Sequence, residues 1–446
     1  MDQPATKHVL LVRCGMSTKY PFLKPSGLLF EYLFRFLRVD KPLGLAYLAS
    51  SLMKNCIECD ILDLSTCIPS KREKIFRKRA KKYDFIGFSG LTHSYPEVIK
   101  LSRIGKEINP EAKIVLGGIH VSFAYKEALQ HNFVDYVIRG EGEDALPNLV
   151  LGKEKSSIDG LCYKKSEKLI FSPQTIIKNL DALALPAREK CKAIHQKYYH
   201  RFETILLGKG CVNNCSYCAI PKISPGLRLR SPNMIANEMG ILSEKKTKRF
   251  FLLTPDFMAF KNYSKEVLKE IRMEKLDIEE MFIDCRVDTC DSDMLRLFKK
   301  SGGTDISLGV DSLNPRVLSY LNKTKDPLGY SIRTIKILKY CKKIGLRTNC
   351  YYLLIPKLNK TEAIKEIKLL KKYSTSVKIA ALTPVPGTIE WERLKERLVD
   401  NFALFDGNAI VIKNFGISEK DMEDVMNLTK SFKETARSIY KYILGF

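Results

Sequence analysis

Three cysteines, Cys211, Cys215 and Cys218, fall within eight residues of the stretch "GKGCVNNCSYCAIP". Thiolates at this C-x3-C-x2-C spacing can converge on one side of a loop, and soft sulfur ligands suit an iron–sulfur cluster or zinc. A structural zinc site takes four ligands. His200 precedes the neighbouring strand and Cys191 lies in a connecting stretch, so neither makes a convincing fourth. Three ligands with one open position point instead to a cluster with an iron free to bind something else; three packed cysteines are the plain alternative. Cys56 and Cys59, the "CIEC" pair at a helix-to-strand turn, have no second pair nearby to complete a zinc site.

The chain has 446 residues, enough for two or three domains. It contains no run of about 18 uncharged apolar residues, so no spanning helix is expected. The N-terminus, "MDQPATKHVLLVRCG", lacks the basic segment, long apolar region and cleavage site of a leader and reads directly into a strand. An unprocessed cytoplasmic protein is expected, whose scattered cysteines are thiols or metal ligands rather than disulfides. The formal charge of +25 comes from lysines spread along amphipathic helices such as "SKREKIFRKRAKKY" and "KILKYCKKIG", not from one basic arm. That spread reads as a solvated basic surface, leaving an acidic substrate, RNA or an anionic membrane surface open as partners.

The elements that must position the cysteines fall into an α/β pattern. Over residues 1–150, strands "HVLLVRC", "CDILDLS", "DFIGFSGL", "AKIVLGG" and "VDYVIRG" alternate with helices such as "PLGLAYLASSLMKN", 70–83 and "YPEVIKLSRIGKEI". This order predicts a doubly wound, Rossmann-like parallel sheet whose ligands sit beyond the carboxyl ends of its strands. Residues 151–201 read as a linker carrying short strands. From 202 to 394, six strand–helix repeats predict an open (βα)6 barrel with its chemistry at the C-terminal strand ends. The cysteine triplet follows the first of these strands, where a barrel places an active-site loop. Residues 395–446 form a C-terminal helical region, with an amphipathic pattern over 418–444 expected to cap or pack on the barrel.

"CVNNCSYC" resembles the C-x3-C-x-Φ-C signature of radical S-adenosylmethionine (SAM) enzymes, in which the three cysteines hold a 4Fe-4S cluster and SAM binds the fourth iron. "RLRSPNMIANEM", "LGVDSLNPRVLSYLNKT" and "LTPVPGTIEW" are similar to further stretches of that family, so the likeness covers almost all of 202–394. It implies that Cys211, Cys215 and Cys218 are cluster ligands and that Tyr217 lies against the adenine of SAM. It also makes Asp311 and Ser312 candidates for polar SAM contacts, although Asp311 stands where the family usually has Glu and "LIPKLNKT" replaces its usual G-x-P-G-E-T. Asp256, in "TPDF", is either a site residue or a helix N-cap.

The first domain, through "KPLGLAYLASSL", "FSGLTHSYPEVIKLSRIGKEINPEAKIVLGGIHVSF" and "DYVIRGEGEDALPNL", resembles the cobalamin-binding domain fused ahead of many radical SAM barrels. That resemblance implies corrinoid contacts from Ser89, Gly90, Thr92, His93, Gly117, Gly118 and His120. The D-x-H-x-x-G motif that carries a cobalt-ligating histidine elsewhere is missing, and His93 and His120 read as polar loop residues rather than cobalt ligands. Glycines at 117 and 118 suit close approach of backbone to a bulky ligand.

Together the resemblances imply a cobalamin-dependent radical SAM methyltransferase. It would cleave SAM to a 5'-deoxyadenosyl radical and methylate an unactivated carbon of an unknown organic substrate. An external electron donor such as flavodoxin or ferredoxin would supply the reducing electron. A radical cyclase or carbon–carbon bond-forming enzyme that transfers no methyl group is the alternative. A basic RNA-binding protein with a structural metal site is a third.

Overall fold

The computed structural model describes residues 7–15, 40–67, 69–166, 168–193, 202–356 and 358–429. The first sheet has eight strands: β1 (His8–Arg13), β2 (Glu58–Asp63), β3 (Phe85–Ser89), β4 (Lys113–Gly117), β5 (Tyr136–Ile138), β6 (Leu161–Lys165), β7 (Lys168–Phe171) and β8 (Cys191–Ala193). Their order is β7-β6-β5-β4-β3-β1-β2-β8. β1 buries four consecutive residues, Val9 to Val12, because helices cover both faces of a parallel sheet. Leu10, Val12, Phe88 and Leu116 pack on one face, and Val9, Leu11, Phe85 and Val115 on the other. The helix Leu43–Lys54 inserts Leu45, Ala49 and Leu52 on the second face, and the Pro-initiated helix Tyr95–Ile108 inserts Val98, Leu101 and Ile104 on the first.

The stretch 151–201, expected as a linker, contributes to this sheet. β6 and β7 extend it antiparallel beyond β5, and β8 pairs with β2 at the opposite edge. Strands of three to five residues carry too little periodicity to announce where they pair, since the partner is set by register with distant chain.

The second sheet is the open barrel. β9 (Glu203–Leu206) is followed by the hairpin strands β10 (Gly208–Lys209) and β11 (Arg228–Leu229), which pair with each other. Then come β12 (Arg249–Leu253), β13 (Glu280–Arg286), β14 (Asp305–Asp311), β15 (Arg347–Leu354) and β16 (Ser376–Ala381). The six parallel strands run in chain order from β9 to β16. Alternate residues divide between two faces: Met281, Ile283 and Cys285, with Ile306, Leu308 and Val310, join the helices in one buried core. The intervening Phe282 stacks on Phe251 of β12 on the inner face. Side chains cap the outer helices, Asp291 for Ser292–Lys300 and Asn359 with Glu362 for Lys360–Tyr373.

The C-terminal region does more than cap the barrel. Met422 and Val425 of the helix Glu419–Asn427 enter the barrel core. Phe402 instead reaches the first domain and packs on Tyr95 and His120. The remainder of the expected 418–444 helix, from 430 onward, lies outside the described residues. Among the described residues no helix is long and apolar enough to cross a membrane.

Leu308 is fully buried between strand and helix layers. Leu308→Ala is expected to remove about 2–5 kcal/mol of stability, read as a lower urea midpoint for the barrel's unfolding. An unchanged midpoint would contradict this packing.

Candidate active site

The cysteine loop leaves β10 through Gly210, whose φ of +85° and crowding leave no room for a side chain. A Cβ there would lie 1.7 Å from the Gly226 carbonyl oxygen. The loop is then tied to the turn after the short helix Pro315–Tyr320: Ser216 N–H donates to the Leu321 carbonyl at 2.9 Å, and the Asn322 amide donates to the Asn214 carbonyl at 2.7 Å. Cys215 is buried, while Cys211 and Cys218 are half-buried. Burial, against partial relief from the Ile220 backbone N–H, pushes the Cys218 thiol up to about 11. A metal taking it as thiolate must therefore displace a proton. Cys211 Sγ accepts from the Asn213 backbone and side-chain N–H groups at 3.4 and 3.5 Å, and Cys215 Sγ from Arg286 Nη1 at 3.3 Å.

Among the described residues no three His, Cys, Asp or Glu side chains converge on a single-ion site. Thiolates that each take a different corner iron of a cluster stand further apart than ligands sharing one ion. The soft, amide-solvated donor set fits a cluster.

At the end of β14, Asp311 adopts φ +61°, a left-handed conformation that non-glycine residues enter sparingly, Asp and Asn more often than most. Its carboxylate receives Lys323 Nζ at 2.8 Å and the Tyr217 hydroxyl at 2.5 Å. Lys323 is buried; burial opposes its charge, but Asp311 holds it protonated well above the ordinary lysine range. The structure thus brings Tyr217 and Asp311 together, and adds Lys323, which stands inside the "LNKT" stretch but shows its partner only in the fold.

Ser312 is not with them. It is fully buried and donates to Glu366 of the Lys360–Tyr373 helix at 2.8 Å, on the outer side of the strand. The left-handed backbone of Asp311, just past a register shift in β14, re-aims the chain so that Ser312 points the other way. Asp256 does not cap a helix, since the next one starts at Lys261 with Phe260 at the cap position. Its Oδ1 accepts from Arg286 N–H and Thr289 Oγ1, and its buried Oδ2 has no partner among the described residues.

The carboxyl ends of both sheets open into one cavity of about 450 Å³. The first domain lines it with Gly87 to Ser89, Val115 to Gly118, Ile138 and the "GEGE" stretch 140–143. The barrel lines it with Leu206, Gly208 to Gly210, Ile223, Leu253 and Pro255. A Cβ on Gly117 would meet nothing closer than 3.9 Å, so the wall is open there for a flat ligand. An apolar, glycine-walled slot at parallel-strand ends fits a corrinoid.

Of the expected corrinoid contacts, Ser89, Gly117 and Gly118 line this cavity. Gly90 supports it from behind, donating its N–H to the Gly117 carbonyl at 3.2 Å. Thr92, His93 and His120 are not among the lining residues. His120 lies beneath Phe402, 5.0 Å between ring centres, and bonds Thr92 at 3.2 Å; burial lowers its pKa to about 4. Phe402 comes from a segment nearly 300 residues away, so local sequence gave His120 the look of an open loop residue.

Sequence reasoning also missed a buried ionic latch on the cavity wall. Glu141 accepts from both Arg228 terminal nitrogens, at 2.9 and 2.6 Å, and from Ser224 Oγ at 3.0 Å; Lys209 pairs with Glu143 at 2.6 Å. Glu141 and Glu143 belong to the first domain, and their partners to the cysteine-bearing hairpin. The "GEGED" stretch was the available signal, since acidic residues flanked by glycines rarely sit buried without a partner.

Burial raises the Asp256 carboxyl to about 6, whereas the unfolded chain ionises it near 4. The folded state then holds the extra proton between about pH 4 and 6, so this group's contribution favours folding below about 4 and is lost as pH rises to about 6. Asp256→Asn is expected to flatten the pH dependence of the urea midpoint across that window. Parallel curves for variant and wild type would refute the raised carboxyl.

Residues 39–150 match the B12 binding domain family and residues 205–370 the radical SAM superfamily. An uncharacterized methyltransferase of Pyrococcus horikoshii is 29% identical over 369 residues, covering 79% of this chain and 78% of its own. An anaerobic magnesium-protoporphyrin IX monomethyl ester cyclase of Rubrivivax gelatinosus is 26% identical over 391 residues, covering 82% of this chain and 67% of its own. The structure of the radical S-adenosylmethionine methyltransferase TsrM of Kitasatospora setae, with cobalamin and a 4Fe-4S cluster bound, shares the fold. Its TM-score is 0.69 at 18% identity, over 94% of this chain and 81% of that one. The two family matches fall on the two walls of a single cavity, and the chain belongs to the radical SAM superfamily, with a B12-binding domain ahead of its barrel.

Proposed function

We propose that this enzyme is a cobalamin-dependent radical SAM methyltransferase acting on an unactivated carbon. One observation carries the reading: the glycine-walled strand ends of the first domain and the cysteine hairpin of the barrel line the same cavity. When bound, the cluster with SAM supplies hydrogen-atom abstraction and the corrinoid supplies methyl transfer.

In this reading Cys211, Cys215 and Cys218 hold the cluster. Tyr217, fixed by its bond to Asp311, sets the edge of the SAM site, and Lys323 pairs with the Asp311 carboxylate. Ser89, Gly117 and Gly118 leave the corrinoid its space, while Leu206, Leu253 and Ile223 give it an apolar wall on the barrel side. Holding both reactants in one space is what the protein contributes. The likeness to a ring-forming cyclase supports the second reading, radical chemistry without methyl transfer. The thirteen unpaired cysteines support a reducing, cytoplasmic setting, and the radical SAM match supports an external electron donor such as a flavodoxin or ferredoxin. The formal charge of +25 supports an acidic partner or an anionic or membrane-associated substrate.

Anaerobic reconstitution is expected to give about four irons per chain, by the stoichiometry of a four-iron cluster, with a broad visible absorbance that the triple Cys211→Ala, Cys215→Ala, Cys218→Ala variant lacks. Full iron retention in the variant would sink the ligand assignment. Spectral titration with hydroxocobalamin is expected to show binding, weakened about tenfold or more by Gly117→Leu, which fills the slot. Equal binding by both proteins would place the corrinoid elsewhere. With substrate, S-adenosylhomocysteine alongside deoxyadenosine marks methyl transfer; deoxyadenosine alone favours the second reading.

A further inference from the structure

Arg286 ends β13 and is buried, 6% exposed, directly behind the cysteine loop. Three groups hold its guanidinium. Nε and Nη2 bond the Asp288 carboxylate at 2.9 and 2.6 Å, Nη2 also donates to the Lys323 carbonyl, and Nη1 is left facing Cys215 Sγ at 3.3 Å. The Asp288 countercharge lies on the more exposed side, its side chain 29% accessible against 8% for Arg286. The pair is therefore an oriented dipole with its positive end against the sulfur and its negative end toward solvent, where screening weakens it most. Among the described residues Cys211 receives neutral amide donors alone, from Asn213. Lys323, a second cation close to the loop, pairs with Asp311 and makes no hydrogen bond to a cysteine sulfur among the described residues.

We infer that Arg286 tunes the reduction potential of the cluster held by Cys211, Cys215 and Cys218, through a charged hydrogen bond to the Cys215 sulfur. The inference rests on the cluster reading given above. In the step concerned the cluster gains one electron from a low-potential one-electron donor. No bond to the protein forms or breaks, and the site becomes one unit more negative. A fixed cation bonded to a ligand sulfur stabilises that added charge, so it raises the potential. Arg286 is a positioning and tuning residue, acting through Cys215.

The test is an EPR-monitored potentiometric titration, with dithionite as reductant, of the anaerobically reconstituted full chain. Arg286→Met is expected to lower the ratio of reduced to oxidised cluster about tenfold at a fixed solution potential, equivalent to about 59 mV for one electron. Arg286→Lys, which keeps the charge, is expected to stay near wild type. Asp288→Asn, which removes the countercharge, is expected to shift the ratio the opposite way. A structural role alone would not produce opposite signs. A fully loaded Arg286→Met protein that titrates like wild type overturns the inference, as do shifts of the same sign for Arg286→Met and Asp288→Asn. If Arg286→Met fails to hold a cluster, the Lys and Asn variants decide. A wild-type chain that takes up no cluster overturns the cysteine reading itself, and this inference with it.

Discussion

Glu141 and Glu143 leave the end of β5 and bury their carboxylates against Arg228, Ser224 and Lys209 of the cysteine hairpin. Buried carboxylates cannot be left unpaired, because removing one partner from such a set costs about 3–5 kcal/mol. The hairpin is consequently held where those charges are. The Glu141 carboxylate also accepts the Ile177 N–H at 2.7 Å, so the segment between the sheets is pinned to the same point. This constraint holds the hairpin that carries Cys211, Cys215 and Cys218 against the strand ends of the first domain, where the two line one cavity.

A second buried network supports the first. Arg188 pairs with Glu203 and Glu238, and Glu238 pairs with Arg230, tying the crossover segment to β9 and to the helix Pro232–Glu244. Ion pairs of this kind add little net stability over apolar packing, but they permit fewer alternative arrangements. The same logic holds at the barrel mouth, where Asp311 satisfies Lys323 and Tyr217 together. The site is built from charges that are each compensated locally, leaving few free to rearrange as cofactors enter.

The C-terminal segment shows how far a local reading can mislead. Phe402 seals His120 and Tyr95 against the first domain while Met422 and Val425 enter the barrel core. One segment thus braces both domains. A histidine in "GGIHVSF" reads as an open loop residue until an aromatic ring from residue 402 is placed over it. Likewise "GLCYKK" and "KLIF" were visible as strands, but their place at the edge of the first sheet depends on pairing with β5.

The parallel sheets, the open barrel and the position of the cysteine triplet were legible because they rest on local periodicity and on ligand spacing within a single loop. Those features are encoded within a few residues, where backbone geometry leaves little choice. The seating of Arg286 against Cys215, the turning of Ser312 toward Glu366 and the Glu141–Arg228 latch were not legible. Each joins residues between 54 and 87 positions apart. Such pairs form only when whole sheets meet, and burial then forces each charge to find its partner. Sequence determined that the cysteines could hold a cluster; tertiary structure decided which charges surround them and which domain their hairpin is latched to.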